Sequence, residues 1–179
     1  LSACWSRYGL VSSANRFLPD AIVQRPERVF THNSLITVVI PRMENLKLKS
    51  SQERRIKRGH PWVYSNEVDV AATPLKGMTP GAIVRVVDAG GGLIGHGHVS
   101  PASLIAVRLL SRDATIESDL IAQRLARALR WRQRVYAQPF YRWVFGDGDG
   151  LPGLVVDRYG DSVVVQTSTW GMETALDEI

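Results

Sequence analysis

The sequence predicts an α+β protein: a small β-barrel or sandwich, followed by a small α/β part with one helix and a β-hairpin. Two observations support this prediction. Short β-type runs separated by glycines fill residues 82–111, at a spacing typical of small all-β folds. Beyond residue 117, an amphipathic run precedes two further β runs, as expected for a helix that packs on a small sheet.

Composition limits the class of protein. The 179 residues are 45% hydrophobic and 22% charged, which is enough apolar material for one core or two small ones and excludes wholesale disorder. No run reaches the roughly 18 apolar residues of a membrane-spanning helix. The single cysteine, Cys4, excludes an internal disulfide or a zinc finger and fits a reducing compartment. We therefore expect a soluble, cytoplasmic protein without a membrane partner.

Residues 1–42 are expected to be an N-terminal extension that is poorly ordered or absent from the native protein. The chain begins with Leu1, and Met43 immediately precedes the first segment whose local signals agree with one another. A transit-type peptide and a genuine N-terminal arm are the alternatives, because the segment is rich in Ser and Arg and lacks the apolar centre of a secretory signal.

Residues 43–118 carry the signals of the first folded part. The alternating sequence ENLKLKS predicts a short strand, and SSQE at 50–53 predicts a helix capped by Ser50 that ends at Gly59, before Pro61. Strands are predicted at 82–89, 92–99 and 103–111.

Residues 119–179 begin with a predicted helix of about 19 residues, because Ile121, Leu125, Leu129 and Tyr136 fall within about 80° of arc. Four arginines lie opposite and are expected to form a solvated face: Arg124, Arg127, Arg130 and Arg134. Arg132 lies on the apolar side, where it must snorkel or pair with a carboxylate. Two β runs joined at Tyr159-Gly160-Asp161 follow.

Three glycine- or histidine-containing motifs have a structural explanation that is stronger than a functional one. The run from Gly90 to Gly95 satisfies G-x-G-x-x-G but leads into a strand rather than a helix, so it is interpreted as a hairpin turn and not as a cofactor site. His96 and His98 share one strand face with no nearby cysteine or carboxylate cluster, so no metal site is predicted. Asp147-Gly148-Asp149-Gly150 lacks the closing Glu of a calcium loop and is interpreted as a structured turn.

A basic cluster gives the strongest functional signal. The chain has a net charge of +5, and its basic excess lies in the first two thirds, which favours a polyanionic partner. Cations and rings concentrate between residues 47 and 64, a combination that suits phosphates and unpaired bases. The candidate RNA-binding residues are Lys47, Lys49, Arg54, Arg55, Lys57, Arg58, His60 and Trp62. The alternative for Trp62 is a place in the core, and for the cations a solvated helix face.

Three stretches resemble a known family: KRGHPWVYSNEV at 57–68, GHGHVSPASLIAVRLLS at 95–111 and GDGDGLPGLVVDRYGDSVVVQ at 146–166. They are similar to the bacterial SAM-dependent methyltransferases that make 5-methylcytosine in large-subunit ribosomal RNA. The resemblance implies an RNA-binding PUA domain at 43–118 and the family's central α/β domain at 119–179. It also implies S-adenosyl-L-methionine as the cofactor of the full-length enzyme, ribosomal RNA as its partner, and a homodimer as one possible assembly.

The family's catalytic domain, with its glycine motif and nucleophilic cysteine, has no counterpart in this sequence. We therefore expect this chain to be a truncated methyltransferase with no catalytic or cofactor-binding residue of its own. In the family's best-defined stretch, Asp147 stands where Glu is commoner and Gly148 replaces a bulkier residue; an architectural role is expected there, or an interface with the catalytic domain. The alternative functions are a stand-alone RNA-binding protein and a protein whose basic face docks on an acidic partner.

Overall fold

The computed structural model describes residues 43–179, which form one compact unit. Cys4 and the rest of the expected N-terminal extension, residues 1–42, lie outside the described residues. The order of elements in the described part matches the predicted α+β class, with eight strands and three α-helices joined by short 3-10 turns.

A curled five-stranded sheet forms the first half. Its strands are β1 (Asn45–Lys47), β2 (Trp62–Tyr64), β3 (Ile83–Val87), β4 (Leu93–Val99) and β5 (Ile105–Ser111), and helix α1 (Glu53–Lys57) lies between β1 and β2. The strand order is β1-β3-β4-β5-β2. Only β1 and β3 pair in parallel among these neighbours. The strands enclose a core that includes the fully buried residues Leu46, Leu48, Ile56, Val63 and Val107.

Helix α2 and a three-stranded antiparallel sheet form the second half. Helix α2 spans Leu120–Val135, and the strands are β6 (Phe140–Phe145), β7 (Leu154–Tyr159) and β8 (Ser162–Thr167), in the order β6-β7-β8. Helix α3 (Trp170–Thr174) follows, capped by the Thr169 hydroxyl, which accepts from the backbone N–H of Met172. The predicted hairpin is therefore confirmed as β7 and β8, and β6 extends it to a three-stranded sheet.

A second hydrophobic core lies between α2, α3 and this sheet, and it includes Leu110, Ile121, Leu125, Leu154 and Met172. Leu110 belongs to β5, so this strand contributes to both cores. None of the described helices is long and apolar enough to cross a membrane.

Two details of the predicted elements are wrong. Helix α1 begins after Gln52 rather than Ser50, and no side chain caps it, because Ser51 adopts a left-handed conformation that precludes the capping box. In α2 the buried face is Ile121, Leu125 and Ala128, whereas Tyr136 lies beyond the helix and is exposed. The end of α1 is confirmed, since Gly59 has φ +114°.

Candidate nucleic-acid interface

The residues of the basic cluster come from β1, α1 and the start of β2. Lys47 ends β1, four of the cations are on α1 or at its C-cap, and Trp62 opens β2. Strand β1 and helix α1 are held close because Leu46, Leu48 and Ile56 are buried in the same core. The segments that carry the cluster therefore border the same core.

Arg55 is half-buried and faces inward, towards a buried carboxylate. Its guanidinium donates to both carboxylate oxygens of Glu67 at 2.8 Å and to the backbone oxygen of Trp62 at 3.0 Å, and it lies 4.8 Å from the ring centroid of Tyr64. Glu67 also accepts from the backbone N–H of Tyr64 at 2.7 Å. The charge of Arg55 is therefore balanced by Glu67, and its hydrogen bond to Trp62 connects α1 to β2.

Lys57 is exposed and is paired with a loop carboxylate. Its Nζ lies 2.8 Å from an oxygen of Asp88, in the turn between β3 and β4. The hydrogen bond between the two raises the pKa of Lys57 and lowers that of Asp88, whose carboxylate also accepts from the backbone N–H groups of Gly92 and Gly90. The charge of Lys57 is thus balanced within the described part of the chain.

Four cations of the cluster remain without a carboxylate partner among the described residues: Lys47, Lys49, Arg54 and Arg58. Lys49 donates to the backbone oxygen of Asn66 at 2.8 Å, which leaves its charge uncompensated. Arg54 and Arg58 are exposed on α1 and its C-cap. These four side chains carry the net positive charge of this surface.

Arg112 adds a cation that the sequence did not single out. It follows β5 and donates to the backbone oxygens of Ile56 at 2.8 Å and His60 at 3.0 Å. These carbonyls carry no full charge, so Arg112 stays positive beside α1. It is far from the cluster in sequence, and only the pairing of β5 with β2 brings it there.

Trp62 connects this surface to the second half of the molecule. Its indole N–H donates to the Asp147 carboxylate at 3.0 Å, and its ring meets that of His60 edge to face at 5.6 Å. The indole is half-buried, so it lies neither in the core nor free on the surface. Asp147, which departs from the pattern of the resembled family, therefore makes a specific contact.

The glycine and aspartate motifs form turns, as expected, and the two histidines lie in a strand. Gly91, at φ +88°, lies in the tight turn between β3 and β4. His96 and His98 are buried in β4, and no cluster of three metal-ligating side chains exists among residues 43–179. The Asp147–Gly150 stretch is a 3-10 turn closed by Gly150 at φ +76°.

Arg132 was expected either to snorkel or to pair with a carboxylate, and it pairs with a carboxylate. Its guanidinium lies 2.6 Å from Asp149, whose carboxylate also accepts from the backbone N–H of Phe145 at 2.7 Å. Next to this turn, Gly153 has φ +87° and leads into β7, while Leu151 is fully buried. These residues of the family-like stretch have architectural contacts.

The glycine run from Gly90 to Gly95 does not fit S-adenosyl-L-methionine. The backbone N–H groups of Gly90 and Gly92 are already taken by the Asp88 carboxylate. The chain then enters β4 rather than a helix whose N-terminus could receive the cofactor.

Known proteins resemble a large part of this chain. Residues 46–112 match the family model of the PUA-like domain. Ribosomal RNA large subunit methyltransferase I of Shewanella frigidimarina is 36% identical over 141 residues, covering 75% of this chain and 34% of that protein. The protein of the same name from Salmonella arizonae is 34% identical over 139 residues, covering 74% and 34%.

Solved structures share the fold. A protein from Streptococcus mutans assigned as a SAM-dependent methyltransferase covers 76% of this chain with a TM-score of 0.59 at 19% identity. A protein assigned as a methyltransferase and solved with SAH gives 0.60 at 20% identity, over the same share. The chain spans about a third of the length of the curated relatives it matches. It contains a PUA-like domain at residues 46–112 and is homologous to ribosomal RNA large subunit methyltransferase I.

Proposed function

We propose that this chain is the RNA-binding portion of a SAM-dependent methyltransferase that forms 5-methylcytosine in large-subunit ribosomal RNA. The observation that carries the proposal is the surface of uncompensated cations on the PUA-like domain. The homology to ribosomal RNA methyltransferases supports the choice of RNA as the polyanion. The domain limits proposed with it are 43–118 and 119–179.

In this proposal the candidate residues divide into two roles. Arg54, Arg58, Lys47 and Lys49 pair with phosphates, because no described carboxylate competes for them. Arg55 and Lys57 hold α1 in place through Glu67 and Asp88. His60 and Trp62 border the surface and are partly exposed, so their rings are assigned to base stacking.

Catalysis is assigned to no residue of 43–179. Methyl transfer to C5 of cytosine requires a thiolate that adds to C6 and a bound methyl donor. The chain's single cysteine, Cys4, matches no motif of the resembled family, and the glycine run does not fit the cofactor. S-adenosyl-L-methionine would supply the methyl group in the full-length enzyme, and this chain would contribute RNA recognition in the cytoplasm. Nothing in the described residues or the relatives supports a homodimer, so none is proposed.

The test is the salt dependence of RNA binding by the 179-residue chain. We expect the double variant Arg54→Ala/Arg58→Ala to bind a ribosomal RNA fragment more weakly and to lower the slope of log K against log salt by about 2. Lys76→Ala is the matched control, because Lys76 is an exposed cation on a 3-10 turn and does not belong to the basic cluster. Equal slopes for the double variant and wild type would contradict the assignment of this surface.

A further inference from the structure

A groove lined by aromatic rings and arginines lies on the second half of the molecule, apart from the basic cluster. It is formed by the C-terminal half of α2 and by β6, and it has a volume of about 410 Å³, within the range of small-molecule sites. Its lining residues are Trp131, Arg132, Val135, Tyr136, Arg142 and Phe145. None of these belongs to the candidate residues of the proposed function.

The rings of this groove are unusually open to solvent. Trp131 is 56% exposed and Phe145 is 61% exposed, and Tyr136 also lies at the surface. Buried rings are the norm for side chains of this size, because each can remove a large apolar area from water. An exposed cluster of them therefore marks a contact surface rather than part of a core.

Each of the two most exposed rings has a guanidinium beside it. The Arg134 guanidinium carbon lies 5.6 Å from the ring centroid of Trp131, and that of Arg142 lies 5.7 Å from the centroid of Phe145. Planar guanidinium groups and aromatic rings are the two kinds of side chain on which unpaired bases stack. The groove presents both kinds together.

The floor of the groove is rigidly held. Arg132 is fixed by Asp149 at 2.6 Å and by the backbone oxygen of Arg142 at 2.9 Å, while Arg142 makes a two-pronged pair with Asp157 at 2.9 and 3.1 Å. Both carboxylates near the groove are thus already engaged by arginines. No described carboxylate is left free there to repel a phosphate.

A row of further arginines leads along α2 to the groove. Arg127, Arg130 and Arg134 are exposed on the face opposite the buried residues, and none makes an ion pair with a described carboxylate. Glu117 and Asp119, at the N-terminal end of α2, accept hydrogen bonds from the Gln123 side-chain amide and pair with none of these arginines. The charge of this helix face therefore complements a phosphate backbone.

We propose that the Trp131–Phe145 groove is a second RNA-binding site, which takes unpaired bases of a single-stranded segment while the α2 arginines hold its phosphates. This inference rests on the proposed function, since it assumes that the chain binds RNA. A protein partner would also use exposed rings and single arginines, both of which are enriched in protein interfaces. A row of like charges without described carboxylate partners suits a polyanion better. The row of unpaired arginines favours RNA.

The experiment compares single-stranded and duplex RNA of the same sequence, about 12 nucleotides long, the size of strand that a small domain covers. We expect Trp131→Ala and Phe145→Ala each to weaken binding of the single strand about tenfold, the scale of one lost stacking contact. Binding of the duplex should change little, because its bases are already stacked. Trp131→Phe should retain most of the affinity.

The control is Trp170→Ala, which removes a similarly exposed ring, 64% open to solvent, outside the groove. The salt slope separates the two sites: groove variants should leave it unchanged, whereas Arg54→Ala/Arg58→Ala should lower it. Thermal unfolding by circular dichroism confirms that each variant is folded.

Three results would overturn the inference. If the groove variants bind the single strand like wild type while Arg54→Ala/Arg58→Ala weakens binding, the second site is absent and the proposed function stands. If wild type binds neither RNA, both fail. If Trp131→Ala instead lowers the molecular mass measured by light scattering, the groove joins copies of the chain and does not take RNA.

Discussion

Glu67 is a buried carboxylate that stabilises the first half of the molecule by pairing with Arg55 of helix α1. It is only 6% exposed, and its carboxylate accepts from Arg55 and from the backbone N–H of Tyr64. We expect Glu67→Ala to lower the free energy of unfolding by about 2 kcal/mol, because it leaves a half-buried guanidinium and a backbone donor unpaired. Urea denaturation followed by fluorescence measures this loss.

Lys57→Ala is the control for Glu67, because it also removes one partner of an ion pair that holds α1. Lys57 and its pair with Asp88 are solvated, so the loss should be clearly smaller than that of Glu67→Ala. Equal losses would show that α1 is not held mainly by the buried carboxylate.

His98 should make stability fall as the solution becomes acidic. Burial lowers the pKa of His98 from 6.5 to about 4. Between these two pH values, the imidazole is therefore protonated in the unfolded chain and neutral in the folded chain. Stability is therefore lost as pH falls through this window, by about 3 kcal/mol at most. His98→Asn should remove most of this slope, as measured by urea denaturation at several pH values.

The carboxylates of the chain remain in the His98→Asn variant, and so does His96, whose pKa is also lowered by burial. The difference between the two pH profiles therefore isolates His98. A direct check is the NMR titration of its imidazole, whose midpoint should lie near pH 4. A midpoint near 6.5 would contradict the burial of this ring.

At the scale of elements, sequence periodicity was informative where an element is amphipathic or bounded by glycine. It predicted β3, β4, β5, the β7–β8 hairpin and α2 to within a few residues. It missed β2 and β6, which are short or rich in aromatic residues and are defined by pairing with distant strands. The predicted cap of α1 was wrong because Ser51 has φ +68°, a left-handed conformation that a helix starting after Ser50 could not contain.

Helix α3 packs so closely on β4 that one methyl group should disturb it. A Cβ at Gly171 would overlap the imidazole of His98. We expect Gly171→Ala to cost about 2 kcal/mol of stability, a typical penalty for overpacking. Gly77→Ala is the matched control, because a Cβ there meets nothing within 4 Å. A thermal midpoint for Gly171→Ala as high as that of Gly77→Ala would show that α3 is not docked on His98.

At the scale of the whole molecule, the basic cluster was predictable as a charge pattern, but its division into paired and unpaired cations was not. Arg54, Arg55, Lys57 and Arg58 are indistinguishable by charge and spacing. Arg55 differs because the 3-10 turn after β2 places the Glu67 carboxylate against it, and Lys57 differs because a turn 31 residues away presents Asp88. Such pairings depend on the folded sheet and leave no local signal.

Arg124 links the second core to strand β5, which contributes to both cores. Its guanidinium donates to the backbone oxygens of Leu110, at the end of β5, and of Gly150, in the turn before β7. It thereby joins α2 to the strand that contributes to both cores. Only the Trp62–Asp147 hydrogen bond reaches as directly from the first sheet to that turn among the described side chains.

We therefore expect Arg124→Met to loosen the second core more than the first. Losing two charge-assisted hydrogen bonds to half-buried carbonyls should cost about 3 kcal/mol. Amide hydrogen exchange should then become faster in β7, for example at Val156, while Val99 in β4 keeps more of its protection. Arg127→Met is the matched control on the same helix, because Arg127 reaches only one carbonyl oxygen, at 3.4 Å. An equal loss of protection in β4 and β7 would contradict this prediction. It would show that the two cores open together as one cooperative unit.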